Sequence, residues 1–246
     1  MQKLMGLVRR CVDDYKMIEP GDRIAVGISG GKDSLVLLKL MAELRRYHNK
    51  KFEIEAITID MGLGMDFSGI EKLCAELQVP YTIVKTEIGP IIFDYRKEKN
   101  PCSMCSKMRR GALNQAILDR GIRKLALGHH YDDAVDTFVM SLIYEGRLSC
   151  FQPGTELDRM GVTQIRPMLY IHEKTVDNFA TRMNLPVVEN RCPVDKTTKR
   201  EEIKNLVYEL SQRYPDLKER IFGAMQRLPL PEWGPQGRYK RPKDDT

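Results

Sequence analysis

Ile24-Ala25-Val26-Gly27-Ile28-Ser29-Gly30-Gly31-Lys32-Asp33-Ser34-Leu35 is the stretch on which the fold turns. The apolar run from Ile24 to Ile28 reads as a buried strand. From Leu35 to Leu44 the apolar residues recur at helical spacing. Between them, Ser29, Gly30, Gly31, Lys32, Asp33 and Ser34 form a tight turn into a helix N-terminus. Adjacent glycines let the backbone bend sharply and come close to a ligand. The free N–H groups and positive dipole end of a helix suit an anion, most often phosphate. Lys32 adds a point charge, and Ser29 and Ser34 add hydroxyl donors. A phosphate-binding loop is expected here, but not a Walker A loop. Val26 stands where that motif needs its first glycine, and Asp33 stands where Ser or Thr would follow the lysine.

Strand and helix patterns alternate outward from this turn. An amphipathic helix is expected over residues 2–17, and Pro20-Gly21 ends it. Strands are expected over 22–28, 52–60, 80–85 and 124–128, with a last one over 164–169. Helices follow over 34–47, about 68–78, about 101–120 and about 130–144. Residues 146–162 read as a loop, and helices are expected over 172–183, 198–213 and 215–227. This alternation predicts an α/β fold: an open, mostly parallel twisted sheet with helices on both faces. The expected organisation is an N-terminal helix (1–20), a nucleotide-binding domain with an inserted cysteine-bearing helix (21–170), a C-terminal helical region (171–228) and a basic tail (229–246).

The 246 residues carry 40 Lys and Arg against 34 Asp and Glu, for a net charge of +6. Clusters matter more than the total. Arg9-Arg10, Arg45-Arg46, Lys107 with Arg109-Arg110, Lys196 with Lys199-Arg200, and the tail from Arg238 to Lys243 would each suit a phosphate backbone. No apolar run approaches the roughly 20 residues a membrane helix needs. The N-terminus has no signal-peptide pattern, so the expected compartment is the cytoplasm.

Three further constellations carry chemistry. Asp60 ends a strand, close to where the nucleotide or its metal would lie. Gly128-His129-His130-Tyr131-Asp132-Asp133 follows another strand and opens a helix. Carboxylates at a helix N-terminus are favoured by the dipole, and Asp132 and Asp133 are hard ligands suited to Mg2+. Among six cysteines, Cys102 and Cys105 form a C-x-x-C pair running into Lys107, Arg109 and Arg110. Such a pair can share a metal or cluster, or pair with each other. Cys192, in a loop between helices, is the best third thiolate. Three cysteines without a fourth suit a [4Fe-4S] cluster with one iron open; a redox pair, a persulfide carrier and a zinc site are the other readings.

The hexapeptide Ser29–Ser34 resembles the signature of the PP-loop ATP pyrophosphatase superfamily, which cleaves ATP between its α- and β-phosphates and adenylates a substrate oxygen. Gly128-His-His-Tyr-Asp-Asp with Thr137 resembles the second motif of the branch containing the tRNA 2-thiocytidine and lysidine synthetases, although that branch often has Glu or Gln where Asp136 stands. The cysteine pair running into Arg109-Arg110-Gly111, the segment Ile165-Arg166-Pro167-Met168, Arg213-Tyr214-Pro215 and Ala224-Met225 extend a resemblance to the TtcA-type tRNA 2-thiocytidine synthetase family over nearly the whole chain.

That resemblance implies thiolation of a cytidine in a tRNA anticodon loop, with ATP, Mg2+ and a [4Fe-4S] cluster. ATP would lie on Ser29–Ser34, Asp60, Gly128 and His129. Lys32, Arg109 and Asp132 would act on the phosphates or metal, and Cys102, Cys105 and Cys192 would hold the cluster. Partners would be tRNA, a sulfur donor (a cysteine desulfurase or inorganic sulfide) and a second copy of the chain. Many members carry an extra cysteine just before the third ligand, where this chain has Glu189-Asn190-Arg191, and Pro193-Val-Asp-Lys after Cys192 also departs from the commonest form. Rival expectations are a thiouridine synthase, a lysidine-type ligase, or a non-catalytic nucleotide or iron–sulfur sensor.

Overall fold

The structure is a computed structural model and describes residues 2–95, 101–157, 160–189, 191–192 and 199–227. The basic tail from 229 onward and Lys196 lie outside the described residues. Helix α1 (Gln2–Asp14) leads into β1 (Arg23–Ile28), α2 (Lys32–Tyr47), β2 (Glu53–Asp60), α3 (Ser68–Glu76) and β3 (Tyr81–Lys85). A short turn of helix, α4 (Ile88–Pro90), and a π-helical turn (Ile91–Tyr95) precede α5 (Pro101–Leu118). Then come β4 (Lys124–Ala126), α6 (Tyr131–Glu145), β5 (Gly154–Leu157), β6 (Val162–Ile165), α7 (Glu173–Arg182), α8 (Lys199–Arg213) and α9 (Leu217–Arg227).

The six strands lie in the order β3-β2-β1-β4-β6-β5. All neighbours are parallel except β5 and β6. The period-2 alternation of a strand explains the layers. Ile24, Val26 and Ile28 of β1 point into the larger core with Ile54 and Ala56 of β2, and α2 supplies Leu35, Leu38 and Met41 there. Ala25 of β1 points the other way, with Ile57 and Leu125, against Ala116 and Ile117 of α5. Helices therefore cover both faces, as expected for a parallel sheet. Helix α2 is buried along most of its length because it is sandwiched between β1 and α7.

The expectation that 146–162 is a loop is corrected. Gly154–Leu157 forms β5, an antiparallel edge strand with Thr155 opposite Gln164. Four polar or half-buried residues on a sheet edge carry no apolar alternation, so the pattern was silent there. The last strand is also earlier than expected, at Val162–Ile165, and Met168 makes only an isolated bridge to His130. Among the described residues, no helix is long and apolar enough to cross a membrane.

Candidate nucleotide and thiol site

Strand order reverses at β1 and β4: β2 and β3 continue to one side, β6 and β5 to the other. Ligands of open α/β sheets sit in the crevice at the carboxyl ends of such a pair. A cavity of about 830 Å3 opens there. Ser29, Asp33 and Ser34 line it from the turn after β1, and Gly128, His129 and Asp133 from the turn after β4. Cys102, Cys105 and Arg109 of α5 line it too, as does Cys192.

The turn after β1 closes on itself. Ser29 N donates to Ser34 Oγ (3.2 Å), Gly31 N donates to Ser29 Oγ (3.3 Å), and Ser34 Oγ donates to the Gly31 carbonyl (2.8 Å). Gly31 caps α2 without a side chain, so no side chain satisfies the first-turn N–H groups. Gly30 has φ +88°, and a Cβ on it would stand 3.1 Å from the Cβ of Val188. Gly128 lies close against the loop: a Cβ there would stand 3.1 Å from the Asp33 carbonyl and the Ser34 nitrogen.

Helix α6 opens with a capping box. His130 Nδ1 accepts from Asp133 N (3.3 Å), and Asp133 Oδ2 accepts from His130 N (2.9 Å). Asp133 Oδ1 accepts from Arg200 Nη2 at 2.6 Å. Asp132, expected to work on metal or phosphate, is placed differently from Asp133. Its carboxylate accepts from Lys218 Nζ (2.6 Å) and from Glu173 N (2.6 Å), and it does not line the cavity. Burial works against its charge, but the Lys218 contact holds its pKa below the ordinary value. Successive residues on a helix point about 100° apart, so Asp133 faces the cavity while Asp132 ties α6 to α7 and α9.

Asp33 and Asp133 are the carboxylates that line the cavity. Asp33 Oδ1 is buried with no hydrogen-bond partner among the described residues. Burial raises the Asp33 pKa, against the pull of His130 and Lys32. A cation placed between Asp33 and Asp133 would relieve that cost, so these two fit Mg2+ better than Asp132 does.

Lys32 does not line the cavity. Its ammonium sits among Glu173 (3.2 Å), Asp177 and Asp33 (3.9 Å). Burial alone would lower its pKa; the Asp177 hydrogen bond and the charges of Asp33 and Glu173 outweigh that and raise it. Asp60 is also outside the cavity lining, and its Oδ1 accepts from Gly62 N at 3.0 Å, a turn carboxylate.

Cys102 and Cys105 lie on α5, three residues apart and so on one face of the helix. Cys192 arrives along the segment after α7. Val188 N donates to the Gly30 carbonyl (2.9 Å), and Arg191 Nη1 donates to the Gly64 carbonyl (2.7 Å). Cys105, Cys192, Arg109 and Ser29 also line a second cavity of about 300 Å3 beside the first. Burial raises the Cys105 thiol pKa, Arg109 draws it down, and the charges of Cys192 and Cys102 raise it. All three thiols thus line one cavity. No three His, Cys, Asp or Glu side chains among the described residues stand close enough to hold one metal ion. A donor set of three thiols and a neighbouring arginine is still chemically suited to an iron–sulfur cluster, whose ligands are thiolates.

Sequence reasoning missed Phe151, Gln164 and Arg166, which line the end of the cavity beyond β4. The signal for Arg166 was its place directly after a strand, in Ile165-Arg166-Pro167-Met168. Arg200 was read only as part of a basic cluster, yet it lines the cavity and pairs with Asp133.

A parallel sheet with a Ser-Gly-Gly-Lys-Asp-Ser turn at its reversal point defines a PP-loop domain, and residues 6–210 match the PP-loop domain family. The chain is 33% identical over 234 residues to the tRNA-cytidine(32) 2-sulfurtransferase of Coxiella burnetii (strain RSA 493 / Nine Mile phase I), covering 92% of this chain and 90% of the relative. It is 36% identical over 231 residues to that of Pelobacter propionicus, covering 92% and 86%. It belongs to the tRNA-cytidine(32) 2-sulfurtransferase family. Among solved structures it resembles the U34-tRNA thiolase NcsA of Methanococcus maripaludis, determined with its [4Fe-4S] cluster, with a TM-score of 0.72 and 27% identity over 89% of this chain and 75% of that one.

Proposed function

We propose that the protein is an ATP-dependent tRNA thiolase that replaces the C2 oxygen of an anticodon-loop cytidine with sulfur. One observation carries this reading: the phosphate-loop residues Ser29, Asp33 and Ser34 and the thiols of Cys102, Cys105 and Cys192 line a single cavity. Membership of a cytidine sulfurtransferase family supports the base, and the likeness to a thiolase solved with a cluster supports the sulfur chemistry.

The triphosphate of ATP rests on Ser29–Ser34 and the uncapped first turn of α2, whose amides and dipole suit it. Asp33 and Asp133 would hold Mg2+, whose charge would offset that of the phosphates. The cytidine C2 oxygen attacks the α-phosphorus, and the bond to the bridging oxygen of pyrophosphate breaks. The C2–O bond, now an AMP ester, is the one that sulfur displaces, with AMP taking the electron pair. Cys102, Cys105 and Cys192 would hold a [4Fe-4S] cluster, which would supply sulfur chemistry at this end of the cavity. Arg109 offsets negative charge between the two halves, where electrostatic stabilisation is the large effect. Lys32 reaches the phosphates by leaving Glu173 and Asp177. Basic clusters hold the tRNA backbone. A cysteine desulfurase or inorganic sulfide is the sulfur source, and the protein works as a homodimer in the cytoplasm.

The test is nucleoside mass spectrometry of tRNA from a deletion strain, complemented with the wild-type gene or with Cys192→Ala. The expected result is loss of 2-thiocytidine, restored by the wild type alone, with iron missing from the anaerobically purified variant. Persistence of 2-thiocytidine in the deletion strain would overturn the reading.

A further inference from the structure

Arg166 is 5% exposed and follows β6, two strands from the phosphate-loop strand β1. Among the described residues, only its Nη1 makes side-chain hydrogen bonds, to the Gln152 carbonyl and to Thr155 Oγ1. The guanidinium also lies over the Phe151 ring, 4.8 Å from its centroid. Nε is buried without a hydrogen-bond partner among the described residues. No carboxylate lies within ion-pair distance of Arg166 among the described residues, and the charge of Arg110 repels it.

Beside it, His129 stands 4.8 Å from Phe151, and its Nδ1 is likewise buried and unpartnered among the described residues. Both residues line the cavity that holds the phosphate loop. A buried guanidinium with no counter-charge is costly and has no structural necessity, because a neutral side chain could bond to Gln152 and Thr155 as well. Burial lowers the Arg166 pKa to about 10, so it is still a cation at neutral pH. Its buried Nε–H lacks an acceptor among the described residues.

We infer that Arg166, with His129 beside it, forms a subsite at the β6 end of the cavity that receives an oxygen acceptor of a bound nucleotide. Two ligands of the reaction carry such oxygens: ATP, through its phosphates, and the RNA substrate, through a base carbonyl or a phosphate. The RNA source rests on the function proposed above; the ATP source does not.

The experiment uses the full chain labelled with 15N-arginine. The Arg166 Nε–H resonance is assigned by its absence from Arg166→Lys, then followed as a non-hydrolysable ATP analogue with Mg2+, or an anticodon stem-loop RNA, is added to the wild type. In parallel, the affinities of Arg166→Met for the two ligands are measured. A charge-assisted hydrogen bond predicts a loss of roughly 10- to 100-fold for the ligand that moves the resonance, and little change for the other. Thr155→Val, which removes only a scaffold partner, should leave the ligand response intact. A resonance that neither ligand moves overturns the inference, even if Arg166→Met proves unstable. So does an Arg166→Met protein that binds both ligands within twofold of the wild type. Binding of the ATP analogue at Arg166 would stand even if no thionucleoside were found, which separates this inference from the thiolase reading.

Discussion

Replacing Asp136 with Asn should stabilise the protein at neutral pH, and the gain should depend on pH in a defined way. Asp136 lies on α6, 6% exposed, with Asp132 and Asp133 on the same helix. Burial raises its pKa from 3.8 to about 6; Lys218 pulls against this, and Asp132 adds to it. A raised carboxylate pKa means the folded state binds the proton more tightly than the unfolded one. The folded state therefore loses stability as pH rises from about 4 to about 6, and the full cost persists above. A shift of that size corresponds to about 3 kcal/mol, an upper bound for one buried group. Asp136→Asn keeps the shape and removes the charge. Urea unfolding of both proteins from pH 4.5 to pH 8 should give the variant an advantage of about 2–3 kcal/mol at pH 8, falling below about 1 kcal/mol at pH 4.5. An advantage that does not change with pH, or a variant less stable at pH 8, would refute the reasoning, since the latter would mean that Lys218 already compensates the charge.

Asp132→Ala should behave in the opposite sense, destabilising by about 2–3 kcal/mol because it leaves Lys218 and the Glu173 amide without their acceptor; chemical denaturation reads this, and affinity for an ATP analogue should change little. His129 is held at a pKa of about 4 by burial, with Arg166 adding to the effect. NMR titration should find its imidazole neutral from pH 5 to 8, and its share of stability should be present above pH 6.5 and decline as pH falls towards 4. Gly30→Ala forces a side chain into φ +88° and against Val188, so it should cost about 1–2 kcal/mol and weaken ATP-analogue binding, read by calorimetry.

Much of the fold could be read from the run Ile24–Ser34, because a strand, a two-glycine turn and a helix N-terminus leave few alternatives. The parallel sheet followed from strands alternating with helices. β5 escaped because Gly154-Thr155-Glu156-Leu157 has no apolar face to announce it, and its pairing is decided by the distant strand β6. The site was legible as a set of turns at strand ends, but side-chain direction was not. Asp132 and Asp133 are adjacent in sequence and serve different surroundings. Lys32 belongs to the loop by sequence, yet packing sets it beside Glu173 and Asp177. Neither outcome is encoded locally; both depend on where α7, α8 and α9 return to the sheet.

The hydrogen bond from Val188 N to the Gly30 carbonyl has a consequence for the order of events. It joins the segment leading to Cys192 directly to the backbone of the phosphate loop. Whatever fixes Cys192 in place also restrains the loop, and by thermodynamic reciprocity whatever fills the loop restrains Cys192 to the same degree. If Cys192 serves as proposed, displacing it would loosen the loop's hold on nucleotide by linkage through this contact.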